Sequence, residues 1–397
     1  MPAPLMDTYA PPNLDFVRGE GVWLHEKGGD KYLDFISGIA VNGLGHAHPK
    51  AVAALKEQAE KLWHTSNMFR VPGQIELAEK YCRDSFADRV FFTNSGAEAM
   101  ECALKTARHY HYANGRPDRY RIITVTGAFH GRTFGAINAG GNEKYLEGFG
   151  PRMEGFDQVP FGDHDALRAA ITEETAAICI EPVQGEGGVR AVPDVCLRGL
   201  RELCDERGIL LIYDEVQCGA GRTGKLWAHE WAETAAPDIM AVAKGVGGGF
   251  PMGACLTTDA AGAHMVVGTH GSTFGGNPLA MAVGNVVYDE LSKPDFLQHV
   301  VDVSNTLRQQ LAGLADAHSD KIEEVRGRGL LVGLKLAEGY VNKTLAAAAR
   351  EHKLLMGAAG DNVARLAPPL IIGEDHVRTA VDALDKALGG LKREKAA

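Results

Sequence analysis

Two charged side chains stand where apolar runs stop. Ile209 to Tyr213 ends in Asp214-Glu215, and Ile239 to Ala243 ends in Lys244, followed by Gly245-Val246-Gly247-Gly248-Gly249. Short apolar runs bounded by glycine and charge read as buried parallel strands. In open α/β sheets the ligand crevice lies at the carboxyl ends of the strands, so Asp214 and Lys244 are expected in one crevice. A buried carboxylate needs a cationic partner. A desolvated lysine gives up its proton and attacks carbonyls. Pyridoxal 5'-phosphate (PLP) uses both groups at once, a lysine as Schiff base and an acid at its ring nitrogen. A solvated turn followed by a surface lysine would leave the same trace in this stretch.

Other strand ends carry compatible chemistry. Asn94-Ser95-Gly96-Ala97-Glu98 joins a strand to a helix, where backbone N–H groups bind phosphate and glycine permits close approach. A plain Ser or Asn helix cap reads the same way. Phe129-His130-Gly131-Arg132-Thr133 offers an aromatic ring for stacking and an arginine for a carboxylate, or else a core phenylalanine and a surface arginine. Glu181-Pro182-Val183-Gln184-Gly185-Glu186-Gly187-Gly188 sets two glutamates in a glycine-rich loop, either solvated or facing the crevice. His270 to Pro278 is a hydroxyl- and glycine-rich loop before a helix, suited to a phosphate or to capping.

Three patterns mislead. Gly219-Ala220-Gly221-Arg222-Thr223-Gly224-Lys225-Leu226 nearly spells a nucleotide phosphate loop. Leu226 stands where a Mg²⁺-holding hydroxyl is required, which argues against an NTPase or nucleotide-binding module. In the Gly245 to Gly249 cluster Phe250 stands where a dinucleotide fingerprint needs its third glycine. His46-Ala47-His48 has no third ligand near in sequence, so no metal site is expected there.

These clusters need a scaffold that sets strand ends side by side. The chain has 397 residues, 45% hydrophobic and 23% charged, enough for two domains of a soluble protein. A net charge of −10 argues against a nucleic-acid surface. No apolar run reaches membrane-spanning length, and Met1 to Asp7 lacks the pattern of a signal peptide. Seven scattered cysteines without a Cys-x-x-Cys suit a reducing cytoplasm rather than a disulfide framework.

Residues 1 to 14 read as an irregular arm. Phe16 to Leu24 and Lys31 to Phe35 read as strands flanking a turn, and helices are expected over 49–62 and 74–83. Strands at 90–93, 122–125, 176–180, 209–213, 239–243 and 254–257 then alternate with helices at 97–110 and 194–206. That is an α/β pattern with a mostly parallel sheet. A helix at 277–291 leads to helices at 296–314, 343–352 and 375–391, with a strand at 330–336, an α+β style. Residues 392–397 read as a frayed tail. The expected division is an N-terminal arm and hairpin over 1–48 packing with the small domain, a large domain over 49–292 and a small α+β domain over 293–397.

The chain resembles the class-III aminotransferases of fold type I, and within them most closely the N-acetylornithine aminotransferases of arginine biosynthesis. The resemblance rests on Tyr32-Leu33-Asp34-Phe35, Gly45 to Pro49, His64-Thr65-Ser66-Asn67, Asn94 to Glu98, Phe129 to Thr133, Glu181 to Gly188, Asp214 to Gly224, Ala243 to Gly253 and Gly271 to Pro278, almost end to end. It implies a large domain built on a mostly parallel seven-stranded sheet and a homodimer with its active site at the interface. Lys244 would bind PLP and shuttle the proton, and Asp214 would keep the ring nitrogen protonated. Val216 and Phe129 would pack on the two ring faces, Gln217 would lie near the phenolic oxygen, and Glu215 would join the cofactor set. Gly96 and Ala97 would cradle the phosphate, with Thr273 added from the partner. Ser272 and Arg132 would meet the acyl-ornithine, Arg365 would clamp the α-carboxylate of glutamate, and Glu186 would gate that arginine. The implied substrates are N²-acetyl-L-ornithine and 2-oxoglutarate. Relatives acting on succinylornithine, ornithine, succinyl-diaminopimelate or 4-aminobutyrate share the cofactor residues, as does an aminomutase. Cys218 stands where the family more often has threonine.

Overall fold

The structure is a computed structural model that describes residues 4–393. Three residues of the expected arm and residues 394–397 of the expected tail lie outside the described residues. Seven strands form the central sheet, in the spatial order Arg89–Thr93, Gly253–Thr257, Ile239–Val242, Leu210–Asp214, Thr175–Ile180, Arg121–Val125 and Phe156–Val159. Six point the same way. Gly253–Thr257 alone runs antiparallel, to both its neighbours. Leu210–Asp214 pairs in parallel with Ile239–Val242, matching Asp214 with Ala241. That register brings the residue at one strand's end close to Lys244, three residues past its partner.

The central strands are apolar on both faces because helices cover both. Ile178, Leu211, Ile212, Met240 and Ala241 are fully buried, as expected of a doubly covered parallel sheet. On one face lies helix Gly96–Ala113, whose Ala99, Ala103 and Ala107 let it sit close to the sheet. Edge strand Phe156–Val159 and the helices Phe134–Gly140 and His164–Ala170 were not legible from periodicity. All three are short, and the strand has only one neighbour to bury it.

The run Phe16 to Leu24 is not one strand. It breaks at Gly21, where φ is +56°, into Phe16–Glu20 and Trp23–Glu26, which pair antiparallel. With Lys31–Asp34 and the distant Leu354–Leu355 they make a second sheet. A third sheet comprises Ile322–Arg328, Leu331–Leu336, Val363–Leu366 and Gly357–Ala359. His46 turns its Nε2 to Asp34 Oδ2 at 2.7 Å. The misleading glycine loop is packed inside, with Arg222 donating to the carbonyls of Leu330 and Pro368. Among the described residues no helix is long and apolar enough to cross a membrane.

Candidate active site

The carboxyl ends of the parallel strands open into a cavity of about 470 Å³. Its walls include Ser95, Gly96, Ala97, Phe129, Arg132, Asp214, Val216 and Lys244. Seven of the residues singled out in the sequence therefore share one hollow, together with the helix cap Ser95.

The anion end is built by helix Gly96–Ala113. Ser95 is its cap, and its Oγ accepts the Glu98 N–H at 3.3 Å. Glu98 reaches back to accept the Asn94 N–H at 2.5 Å, a variation on the capping box. Capping and phosphate binding are thus compatible, because the N–H groups of Gly96 and Ala97 are left without an intrahelical partner. A Cβ on Gly96 would stand 2.6 Å from Cγ1 of Val216, so glycine is what lets Val216 lean onto the first turn. Phe129 lies on the cavity wall with its ring edge-on to Tyr145, centroids 5.9 Å apart.

Asp214 is buried at the end of its strand. Its Oδ1 accepts the Val216 N–H at 3.0 Å, and its Oδ2 lies 2.7 Å from His130 Nδ1. Burial would push the His130 pKa down, but the hydrogen bond and charge of Asp214, aided by Glu181, outweigh it and the net shift is upward. Sequence reading quoted His130 without a role. Nothing local pairs it with a carboxylate 84 positions on. Glu181 accepts the Phe129 N–H at 3.2 Å. Burial, then the nearby Asp214 charge, push its carboxyl up to about 8. The two neighbouring carboxyl groups are thus set apart: Asp214 faces a histidine drawn toward its cationic form, and Glu181 is drawn toward neutrality.

Lys244 opens a turn of 3-10 helix, Lys244–Gly247, with φ at +48°. A left-handed backbone costs a lysine about 1–2 kcal/mol, and such strain gathers at functional positions. Loss of water pulls its pKa down, opposed by the charge of Glu186.

Beside it, three expected residues meet from distant parts of the chain. Arg365 stands on strand Val363–Leu366 opposite Gly333 and Gly357. Its Nη1 bonds the Glu186 carboxylate and donates to Gln217 Oε1 at 3.0 Å. Gln217 Nε2 in turn donates to Glu186 at 3.3 Å. Burial favours a neutral Glu186, but Arg365 prevails and its pKa is lowered.

Glu215 departs from expectation. Its carboxylate accepts the N–H groups of Ala228, at 2.5 Å, and His229, at 2.9 Å, and faces His229 Nδ1 at 2.7 Å. Successive side chains leave a strand on opposite faces, so with Asp214 in the cavity Glu215 points into the core behind it. Ser272 and Thr273 do not reach the Lys244 cavity within this chain. Ser272 Oγ accepts the Gly275 N–H at 2.9 Å, and exposed Thr273 lines a second hollow with Asn94 and Glu98. Arg132 lies over the Tyr145 ring at 4.0 Å. PLP, the group implied by the resemblance, fits these donors: free N–H groups on a helix that only glycine can open, apolar walls at Val216 and Phe129, a buried acid and a desolvated amine.

An α/β sheet whose strand ends gather an anion cradle, a buried acid and a strained lysine defines an enzyme of amine chemistry. Residues 6–388 match the family Aminotransferase class-III, and the chain belongs to that family. Acetylornithine aminotransferase of Agrobacterium fabrum is 58% identical over 394 residues, covering 99% of this chain and 98% of that protein. A Pseudomonas aeruginosa protein described as succinylornithine transaminase/acetylornithine aminotransferase is 43% identical over 98% of this chain and 96% of its own. The solved ornithine aminotransferase of Toxoplasma gondii superposes with a TM-score of 0.92 at 32% identity, over 97% of this chain and 92% of that one. PLP partly occupies its active site.

Proposed function

We propose that this chain is a PLP-dependent acetylornithine aminotransferase that moves the δ-amino group of N²-acetyl-L-ornithine to 2-oxoglutarate, giving N-acetyl-L-glutamate 5-semialdehyde and L-glutamate. The observation that carries it is the Arg365–Glu186–Gln217 cluster beside Lys244. Glutamate must present an α-carboxylate next to its reacting amine, while acetylornithine reacts at the far end of its chain. An arginine paired with a movable glutamate serves both, free for the first and neutralised for the second. Identity of 58% to an acetylornithine aminotransferase supports the acyl preference.

Bound in the cavity, PLP supplies an aldehyde for the exchanged amine and a ring that takes up the electron pair left when a proton is removed beside it. The Gly96 and Ala97 N–H groups hold its phosphate. Val216 and Phe129 fix the ring, and Gln217 approaches its phenolic oxygen. Asp214, oriented by His130 and the Val216 N–H, keeps a proton on the ring nitrogen. Lys244 anchors the group, takes the substrate proton in its neutral state and returns it elsewhere. Arg132 and Ser272 meet the acyl-ornithine, and Thr273 adds its hydroxyl to the phosphate of the neighbouring subunit.

That last role makes the enzyme a homodimer with shared active sites. In support, Trp63, Met68, Phe69 and Phe274 are each more than half exposed, apolar surface of the kind that a partner covers. Asn67 ties their segments together through the Ser272 and Gly275 carbonyls. The proposal keeps a large domain over 49–292, a small one over 293–397 and a cytoplasmic setting. The described residues up to 48 side with the small domain, in keeping with the Leu33–Leu354 pairing.

Single-turnover absorbance tests the reading. Glutamate and N-acetylornithine, added separately without keto acid, are expected to bleach the yellow holoenzyme fast. Succinylornithine, ornithine and 4-aminobutyrate should act slowly. A faster amine among these three moves the protein to a sister activity. The gate has its own test. Glu186→Ala is expected to slow the acetylornithine half-reaction by roughly tenfold or more and the glutamate half much less; equal losses would remove the gate from the mechanism.

A further inference from the structure

Glu186 is held at both ends by one hairpin. Its carboxylate bonds Arg365 on strand Val363–Leu366. Its backbone carbonyl accepts the Gly360 N–H, at 2.7 Å, from the tip of the same hairpin. Strands Gly357–Ala359 and Val363–Leu366 meet at that tip in a tight turn, closed by the Val363 N–H on the Gly360 carbonyl at 3.2 Å. Asp361 and Asn362 occupy its two central places with φ at +53° and +52°, the left-handed pair that a type I′ turn demands. Glycines permit the close approach. A Cβ on Gly360 would stand 3.0 Å from the Glu186 carbonyl oxygen, and one on Gly188 2.8 Å from the Gly360 oxygen.

The tip is itself pinned on two sides. Asn362 donates from Nδ2 to the Tyr340 carbonyl at 2.7 Å, and its Oδ1 accepts the Asn342 N–H at 2.9 Å. Lys335 Nζ donates to the Asp361 carbonyl at 2.8 Å and to Asp361 Oδ1 at 2.5 Å, and Arg326 bonds Oδ2. Lys335 and Arg326 come from neighbouring strands of the third sheet, Leu331–Leu336 and Ile322–Arg328. Neither cation, nor Asp361, lines the Lys244 cavity.

We propose, taking the gate above as given, that Asp361 is a positioning residue for it. Clamped by Lys335 and Arg326, Asp361 fixes the hairpin tip that holds the Glu186 backbone, so the gate opens by rotation of the Glu186 side chain alone. Exposure agrees with that division. The Arg365 side chain is 3% exposed, whereas that of Glu186 is 28% exposed and has room to turn. With its backbone tethered, the carboxylate returns to one place whenever glutamate leaves Arg365. A loosened tip lets the Glu186 backbone drift, and the Arg365–Glu186 pair forms less often. The acetylornithine half-reaction, which needs the arginine neutralised, then suffers. The glutamate half-reaction, which needs it free, does not.

Asp361→Asn removes the charge and keeps a residue that tolerates a left-handed backbone. Lys335→Met removes the same ion pair from the other side. In the holoenzyme of each variant, single-turnover bleaching by N-acetylornithine is expected to slow roughly threefold, the scale of a partly exposed ion pair, with bleaching by glutamate unchanged. Hydrogen exchange gives a second readout that needs no substrate. The Gly360 amide should exchange at least about threefold faster in both variants, while strand Leu210–Asp214 keeps its wild-type protection. Equal slowing of both half-reactions, an unchanged ratio between them, or wild-type exchange at Gly360 would each overturn the proposal. Glu186→Ala, measured alongside, separates Asp361 from the gate. A ratio that shifts there but not in Asp361→Asn leaves the gate standing and removes Asp361 from it; a ratio that shifts in neither removes both.

Discussion

Lys244→Ala is expected to lower turnover of acetylornithine and 2-oxoglutarate by at least about 10⁴-fold. On the proposed mechanism two functions would disappear together: the amine that anchors PLP, and the base that moves the proton. The structure gives Lys244 both means. It stands on a left-handed backbone at a strand end, inside the cavity, and desolvation lowers its pKa, which favours the neutral amine. Lys244→Arg separates base from charge, since a guanidinium keeps its charge and does not deprotonate. It should be nearly as inactive as Lys244→Ala. The measurement is steady-state turnover together with the visible spectrum of each variant after addition of PLP. Wild-type turnover in either variant would refute the assignment.

Asp214→Asn is expected to cost about 10³-fold in both half-reactions alike. The amide replaces the carboxylate almost atom for atom, and its oxygen can still accept the Val216 N–H, which Asp214 binds at 3.0 Å. What it loses is the charge that favours a proton on the ring nitrogen, and with it the attraction holding His130 at 2.7 Å. A PLP derivative methylated at that nitrogen carries the positive charge permanently. It should restore part of the activity to Asp214→Asn and little to Lys244→Ala. Undiminished rates in Asp214→Asn would mean that the ring nitrogen is not where this acid acts.

The difference between these two residues and others at the site shows where sequence reasoning reaches. Asp214 and Lys244 were legible because each ends an unbroken apolar run, and a parallel sheet aligns such ends without further information. Gly96 was legible for a similar reason: a strand, a cap and a helix start are read over a few residues. The direction of the Glu215 side chain was not legible although it adjoins Asp214, since the Ala228–His229 backbone that takes up its carboxylate lies more than ten residues away. Gly253–Thr257 was found as a strand, but its direction was not, because an isolated apolar segment carries no sign of which neighbour it will join.

By itself, the sequence determined the alternation of strands and helices, the chemistry waiting at the strand ends and, through resemblance, the family. Those follow from periodicity and from short motifs, which act over a turn or a strand. Only the tertiary structure decided the couplings: His130 on Asp214, Glu181 pushed toward neutrality beside them, Arg365 paired with Glu186 from 179 positions away. Each depends on burial and on contacts across sheets, where loss of water magnifies charge interactions. No local pattern can encode a desolvation that arises only when the chain has closed around the group.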